Sequence, residues 1–320
     1  MKRVLVTGGA GFVGSNLVRT LIEQNVDEIT VIDDFSTGLR TNLAGLDIEI
    51  IEADISDISS SIYKRSKHFD SIIHLAARGS VPRSIMNPVA TTQVNVIGTQ
   101  NLLELARTQS SQFVFSSSSS VYGSNLKLPK NEHDWIQPLS PYAASKAAAE
   151  ALVMAYGASY EIPITLFRFF NIFGPWQRPD HVYSAVIPKW IWSAMQGDIL
   201  HVYGDGTQTR DFTYIKTVVD VISETISSKV NLPGPINLAY GNSISLNNLI
   251  SELREYFPNL EVEFGEIRKG DVRDSQNSPE LLASTFPSLR PLEFEKSLKL
   301  TVEWMKENVN AILNGPKVID

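Results

Sequence analysis

Apolar residues gather along the first half of the chain in short runs with few polar interruptions, at residues 4–6, 29–32, 48–51, 71–75, 113–116 and 164–169. A run without polar alternation suits a strand covered on both faces, and the stretches at 89–107 and 142–156 read as helices. Strand and helix in alternation predict an α/β fold built on a doubly wound parallel sheet. Beyond residue 171 the spacing loosens and Pro and Gly become frequent. Short strands at 201–203, 235–238 and 262–264 there mix with helices at 183–195, 245–256 and 294–313. The change predicts a smaller C-terminal α/β lobe over 171–320 beside a first domain of residues 1–170, with some later segments returning to that first domain. No repeat, low-complexity tract or long linker breaks the pattern.

A length of 320 residues with 43% hydrophobic content can bury a sizeable core. The formal charge of −7 argues against general binding to nucleic acid or an anionic membrane, both of which need Lys and Arg to neutralise phosphates. Without cysteine there is no disulfide framework and no thiolate metal site, and the spacing of the five histidines suggests no metal. Met1-Lys2-Arg3 runs directly into the first apolar run, a start that resembles neither a secretory signal nor a membrane span, so a cytoplasmic location is expected.

The first chemical signal is Thr7-Gly8-Gly9-Ala10-Gly11-Phe12-Val13-Gly14, between the first strand and a helical pattern. Gly8 permits a tight turn, Gly11 lets backbone approach a pyrophosphate, and Gly14 lets the helix pack closely on the strand. The helix N-terminus then faces the phosphates. Asp33, at the end of the second strand, stands where a carboxylate accepts from adenosine ribose hydroxyls and repels a 2′-phosphate, which favours NAD over NADP. Asp54 and Ile55 follow the third strand, where one hydrogen bond and one apolar contact can hold an adenine; Asp54 reads equally well as a loop acid or helix cap.

The second signal is Ser140-Pro141-Tyr142-Ala143-Ala144-Ser145-Lys146. Ser and Pro look like a cap and first turn, which puts Tyr142 and Lys146 on one helix face. A phenol is a poor base at its free pKa, and a neighbouring ammonium favours its ionised form. A surface tyrosine beside a solvated lysine is the ordinary alternative. Five serines, Ser116 to Ser120, also end a buried strand, and hydroxyls at the carboxyl end of a central strand lie where open α/β sheets bind ligands.

With His74-Leu75-Ala76-Ala77, Asn95-Val96-Ile97-Gly98-Thr99, Arg168-Phe169-Phe170-Asn171, Gly204-Asp205-Gly206, Arg210-Asp211-Phe212 and Gly270-Asp271-Val272-Arg273, the chain resembles the extended short-chain dehydrogenase/reductases, and among them the UDP-hexose 4-epimerases. The resemblance implies a Rossmann domain that binds NAD and a lobe that binds a UDP-sugar. It implies that Ser118 is the catalytic hydroxyl, Tyr142 the base, and Lys146 its electrostatic partner and a ligand of the nicotinamide ribose. Gly8, Gly11, Phe12, Val13, Asp33, Asp34, Ser36, Thr37, Gly38, Asp54, Ile55, Leu75, Ala76, Ala77, Asn95, Ser116 and Phe170 would surround the cofactor. Ser80, Asn171, Val186, Tyr203, Arg210, Arg268, Asp271 and Ser275 would meet the substrate. Two guanidiniums suit a pyrophosphate and an aromatic ring suits a uracil, although any one of Arg210, Arg268 or Asp271 alone could be in a surface salt bridge. His74 is expected to be structural.

Such an enzyme would take hydride to NAD while Tyr142 takes the hydroxyl proton, then return both to the other face of a 4-keto sugar. Dehydratases of the family carry an Asp-Glu pair where Ser119 and Ser120 stand, and its decarboxylases usually carry a Glu at the Ser120 position. Glu132 and Asp134 are expected to be solvated loop acids. The stretches 183–190 and 210–215 are similar to bacterial UDP-N-acetylglucosamine 4-epimerases, and Ser275 stands where glucose-restricted epimerases resemble one another in a bulky Tyr. Other nucleotide-sugar chemistry within the family stays open: a dehydratase, a reductase that consumes cofactor, or a uronate epimerase. A non-catalytic NAD-binding protein is also open, though it should lack Tyr142 or Lys146. A homodimer is expected through the helices at 89–107 and 142–156.

Overall fold

The computed structural model describes residues 2–57, 59, 63, 67–179, 185–266 and 273–308. Contacts divide the chain into a first unit of residues 1–126, 132–169 and 219–237 and a second of 127–131, 170–218 and 238–320. In the first unit, β1 (Arg3–Thr7), β2 (Glu28–Asp33), β3 (Glu49–Glu52), β4 (Ser71–His74), β5 (Gln112–Ser118), β6 (Ile164–Phe169) and β11 (Pro235–Leu238) form one sheet in the order β11-β6-β5-β4-β1-β2-β3. The pairs β1–β2, β2–β3, β1–β4, β4–β5 and β5–β6 are all parallel. Their apolar runs are buried as expected: Val4, Leu5, Ile32, Ile72, Ile73, Phe113, Leu166 and Phe167 have no exposed surface. The strand at 235–238, expected in the smaller lobe, instead extends the edge of this sheet. A four-residue apolar run does not specify which sheet it joins.

Strands wind outward from β1 to β3, and the chain then restarts at β4 on the other side of β1. Such a reversal opens a crevice at the carboxyl ends of the two strands, here beyond Thr7 and His74, which lie opposite each other. Around the sheet run α1 (Phe12–Glu23), α2 (Val81–Met86), α3 (Pro88–Thr92), α4 (Thr99–Gln109) and α5 (Pro141–Tyr160). Leu102, Leu103 and Ala106 of α4 and Ala149 and Val153 of α5 join Leu5, Ile72, Phe113 and Leu166 in one core. The continuous helix expected over 89–107 is interrupted: between α3 and α4 lies a π-helical segment, Gln93–Gly98. A wider turn leaves the apolar spacing of a helix almost unchanged, so periodicity does not register it.

In the second unit, β7 (Asn171–Phe173) pairs parallel with β10 (Phe212–Tyr214), and β8 (Leu200–Tyr203) pairs parallel with β13 (Val262–Gly265). β9 (Thr209–Arg210) pairs antiparallel with β12 (Ile244–Ser245). α6 (Val186–Gln196) packs against α10 (Phe294–Glu307), while α8 (Leu246–Tyr256) and α9 (Glu280–Thr285) complete this unit's helices among the described residues. Phe173, Phe212, Tyr214 and Phe294 form its aromatic core, with ring centroids 5.7–6.0 Å apart. The boundary between units falls inside α7 (Ile215–Ser227). Among the described residues no helix is long and apolar enough to cross a membrane.

Candidate functional site

A cavity of about 370 Å³ opens at the winding reversal of the first unit. Its floor is the glycine turn. Gly8 has φ +70°, and a Cβ there would lie 2.7 Å from the Ala76 nitrogen. At Gly14 a Cβ would lie 2.2 Å from the Gly8 carbonyl oxygen. Neither position tolerates a side chain without moving backbone. Gly11 caps α1 without a side-chain bond, and a helix leaves its first N–H groups without intrahelical partners, so those of Phe12 and Val13 are available at the cavity wall. This is the donor set and clearance that a diphosphate requires.

Asp33, Asp34, Ser36, Thr37 and Gly38 line one flank, with Asp54 and Ile55 beyond them and Leu75, Ala76 and Ala77 opposite. Asp33 is buried; its Oδ2 accepts from Ala10 N at 2.9 Å and its Oδ1 from Phe35 N at 2.9 Å. Burial raises its pKa, and the two backbone bonds act against that rise. Asp54 Oδ1 accepts from Ser56 N and from its hydroxyl, both at 2.8 Å, so it holds its own loop as well as facing the cavity. Asn95 and Ser116 do not line the cavity and act behind its wall. Asn95 Oδ1 accepts from Arg78 N at 2.8 Å, and its Nδ2 donates to Ser145 Oγ at 2.9 Å. Phe170 is buried and belongs to the second unit.

Ser140 caps α5 by accepting from Ala143 N, with Pro141 in the first turn. Tyr142, Lys146 and Glu150 therefore succeed one another along the same face, one turn apart. Tyr142 faces Ser118 at the end of β5. Burial raises the phenol's pKa, and the neighbouring Ser118 side chain works in the opposite direction. Lys146 is buried, donates to the Ser116 carbonyl at 2.8 Å, and has its pKa lowered to about 8, chiefly by burial and against the pull of Glu150. Burial thus opposes the charged form of both partners.

His74 is structural, as expected. Thr99 donates to the Asn95 carbonyl at 2.7 Å, which leaves its oxygen to accept from His74 Nε2 at 2.9 Å. Nδ1 then accepts from Thr7 Oγ1 at 2.8 Å, and Thr7 in turn accepts from Ala76 N at 3.2 Å. Burial, with the Lys146 charge as a second cause, holds this imidazole neutral. The chain of bonds fixes its tautomer and braces the cavity wall at Ala76.

Glu132, expected to be solvated, is buried; Asn237 N donates to its Oε1 at 2.9 Å. It belongs to a group the motifs did not reveal. Arg168 in β6 donates to Glu150 through Nε at 3.0 Å and through Nη2 at 2.8 Å. Arg168 Nη1 reaches the Tyr122 hydroxyl at 3.0 Å and the Glu132 carbonyl at 3.3 Å. Tyr122 donates to Asn237 Oδ1 at 2.7 Å, and Ser117 donates to Glu150 at 2.5 Å. The one readable sign was an arginine within an otherwise apolar strand, since a buried charge needs a partner.

Ser80 caps α2, its hydroxyl oxygen accepting from Arg83 N at 3.3 Å. In the second unit, Arg210 donates to the carbonyls of Thr209 at 2.8 Å and Arg273 at 2.7 Å. Ser275 N donates to that same Thr209 carbonyl at 3.1 Å, which brings Ser275 and Arg210 to one segment. Asn171 Nδ2 donates to the Asp211 carbonyl at 3.3 Å, Val186 opens α6, and Tyr203 is 41% exposed at the end of β8. Arg268 and Asp271 lie outside the described residues. Among the described residues no cluster of three or more His, Asp or Glu could hold a metal ion.

The model of the NAD dependent epimerase/dehydratase family matches residues 4–239. A protein of Methanocaldococcus jannaschii, provisionally named UDP-glucose 4-epimerase, is 33% identical over 95% of this chain and 99% of its own. The UDP-N-acetyl-alpha-D-glucosaminuronate decarboxylase of Bacillus cytotoxicus is 31% identical over 97% of this chain and 99% of its own. The solved UDP-N-acetylglucosamine 4-epimerase of Methanobrevibacter ruminantium M1, in complex with UDP-N-acetylmuramic acid, superposes with a TM-score of 0.90 at 35% identity, over 96% of this chain and 99% of that one. Dehydratases are also among the solved structures of this shape. The chain belongs to the NAD dependent epimerase/dehydratase family, and it is an NAD-dependent enzyme that modifies nucleotide sugars.

Proposed function

We propose that the reaction is 4-epimerisation of a UDP-sugar, with UDP-N-acetylglucosamine and UDP-glucose as the candidate substrates. The observation that carries this reading is Tyr142 facing Ser118 at the carboxyl end of β5, with serines and no acids at the next two positions. Bound NAD supplies a hydride acceptor and a positive ring that favours phenolate. Tyr142 takes the proton from the C4 hydroxyl, and Ser118 holds the same oxygen. Lys146, seated on the Ser116 carbonyl, keeps a positive charge beside the phenol and a donor for the nicotinamide ribose. The glycine turn holds the diphosphate, Asp33 and Asp34 the adenosine ribose, and Asp54 with Ile55 the adenine. Arg210, Asn171 and Tyr203 hold the uridine diphosphate, with Arg268 and Asp271 as their partners, and Val186, Ser80 and Ser275 border the sugar. A small residue at 275 accommodates an acetamido group at C2 without rejecting a plain hexose.

Dehydratases that resemble this chain carry an Asp-Glu pair directly after the catalytic hydroxyl, and decarboxylases usually carry a Glu there. Ser119 and Ser120 form a short 3₁₀ turn capped by Ser118, which accepts from Ser120 N at 3.2 Å. Glu132 is committed to the Asn237 backbone. The enzyme, incubated separately with UDP-N-acetylglucosamine, UDP-glucose and UDP-glucuronate, should interconvert at least one of the first two with its C4 epimer, with no net change in reduced cofactor. Carbon dioxide release from the uronate, or no interconversion of either neutral sugar, would overturn the reading. The homodimer is a further proposal; α4 and α5 are the helices through which two copies would pair, and light scattering at micromolar protein tests it.

A further inference from the structure

The charged stripe along α5 does not end at Lys146. Glu150, one turn on, is buried and receives three donors, two from Arg168 on β6 and one from Ser117 on β5. Ser117 immediately precedes Ser118, and the Lys146 ammonium grips the carbonyl of Ser116 immediately before it. Helix α5 is therefore fastened to the end of β5 at both of the residues that lead into the one facing Tyr142. Arg168 lies directly opposite Ser117 in the sheet, so strand, helix and ion pair share one locus. A bidentate guanidinium–carboxylate pair is a rigid support, and an uncharged pair of similar volume would stabilise a core about as well.

We propose that the Glu150–Arg168 pair is a positioning unit for the reaction: Glu150, through Ser117, holds the Ser118 hydroxyl against the Tyr142 phenol and faces Lys146 with a negative charge whose strength Arg168 sets. The inference rests on the reading of Tyr142, Ser118 and Lys146 as the reacting set. Other titratable or charged groups facing this locus are His74 from β4, held neutral; Tyr122 from the turn after β5; and Glu132 from the loop that follows. Arg83 on α2 and Glu104 with Arg107 on α4 belong to helices packed on α5, and Glu104 is bonded to Tyr156 further along it. All of these stay in place in the variants below.

The two partners should act in opposite directions. Glu150→Gln removes the anion facing Lys146 and leaves the Arg168 cation, so Lys146 should lose its proton at a pH about one unit lower. The alkaline limb of kcat should move down with it. Arg168→Met leaves the anion without its partner and should move the limb up. Ser117→Ala keeps both charges, and should lower kcat about tenfold with little change in KM and no movement of the limb. The limb is measured in turnover of whichever UDP-sugar is interconverted. Lys146 itself is titrated by NMR of ¹³C-labelled lysine in the full-length protein, with its signal assigned by its loss in Lys146→Met. That titration needs no turnover, so an inactive wild type would remove the epimerase reading while the shifts still decide the inference. Opposed shifts support the proposal. Shifts in one direction, or none, with native melting, overturn it. Should both charge variants fail to fold, Ser117→Ala decides: a loss of kcat with native melting supports the proposal, and undiminished kcat overturns it.

Discussion

Gly14→Ala tests whether the clearance at the glycine turn serves the cofactor. The added Cβ would lie 2.2 Å from the Gly8 carbonyl oxygen and 2.6 Å from the Gly9 Cα. Ordinary contacts begin roughly 1 Å further out, and both obstacles are backbone, so α1 must retreat by about that much. Overpacking of this kind costs about 1–3 kcal/mol, and the upper end applies because no side chain can turn aside. The same retreat stretches any hydrogen bond from the first turn of α1 to a diphosphate from about 2.9 Å to nearly 4 Å, beyond useful range. Losing one such bond weakens NAD binding about tenfold or more. Gly45→Ala is the control: Gly45 has φ +74° but nothing within 4 Å of an added Cβ, so it brings backbone strain of about 1 kcal/mol without touching the cavity. Calorimetric NAD titration and thermal melting of both variants decide the matter. If Gly14→Ala binds NAD as tightly as the wild type, or if both variants lose affinity equally, the close-approach argument is refuted.

Tyr142→Phe should lower the rate of UDP-sugar interconversion by about 10²–10⁴-fold while leaving NAD binding and the melting temperature close to those of the wild type; chromatographic resolution of the epimers measures it. Activity should fall as pH rises through about 8, where Lys146 loses its proton. Stability should move the other way on that group: below pH 8 the lysine is charged both folded and unfolded, and its burial is a cost. That cost disappears as pH rises from about 8 towards the ordinary lysine value of 10.5, a gain of up to about 3 kcal/mol. A Lys146→Met variant should lack this rise in denaturant titrations across the same range. Asp33→Asn replaces an acceptor of two backbone N–H groups with an amide whose nitrogen must face one of them, and should cost about 1–3 kcal/mol in unfolding measurements together with a loss of NAD affinity.

Those parts of the site that depend on a fixed spacing in sequence were legible before any coordinates. The glycines, the acid ending β2 and the Tyr142–Lys146 interval each place their atoms through one short element, so local geometry carries over directly. Parts assembled across the sheet were not. Arg168, Glu150 and Ser117 come from three elements, and none stands at a telling interval from another. Glu132 looked like one more acid in a polar loop, because nothing along the chain reports that its carboxylate is enclosed by residues a hundred positions away. The strand at 235–238 was read as a strand among those of the smaller lobe, while in space it pairs at the edge of the large sheet, since pairing partners are chosen in space. The depth of Tyr142 and Lys146 was not legible either: spacing shows that the two groups are near, whereas burial opposes the charged form of each.

The π-helical segment at Gln93–Gly98 acts as a phase shift in the helix that carries Asn95 and Thr99. One additional residue is accommodated in a widened turn, so the stripe of side chains downstream is rotated by about 100° from where an unbroken helix would put it. Deleting a single residue there would give a smoother, more regular helix, and in doing so would swing Thr99 off the His74 ring. Regularity and correct aim are in conflict at this point of the chain, and the fold keeps its aim.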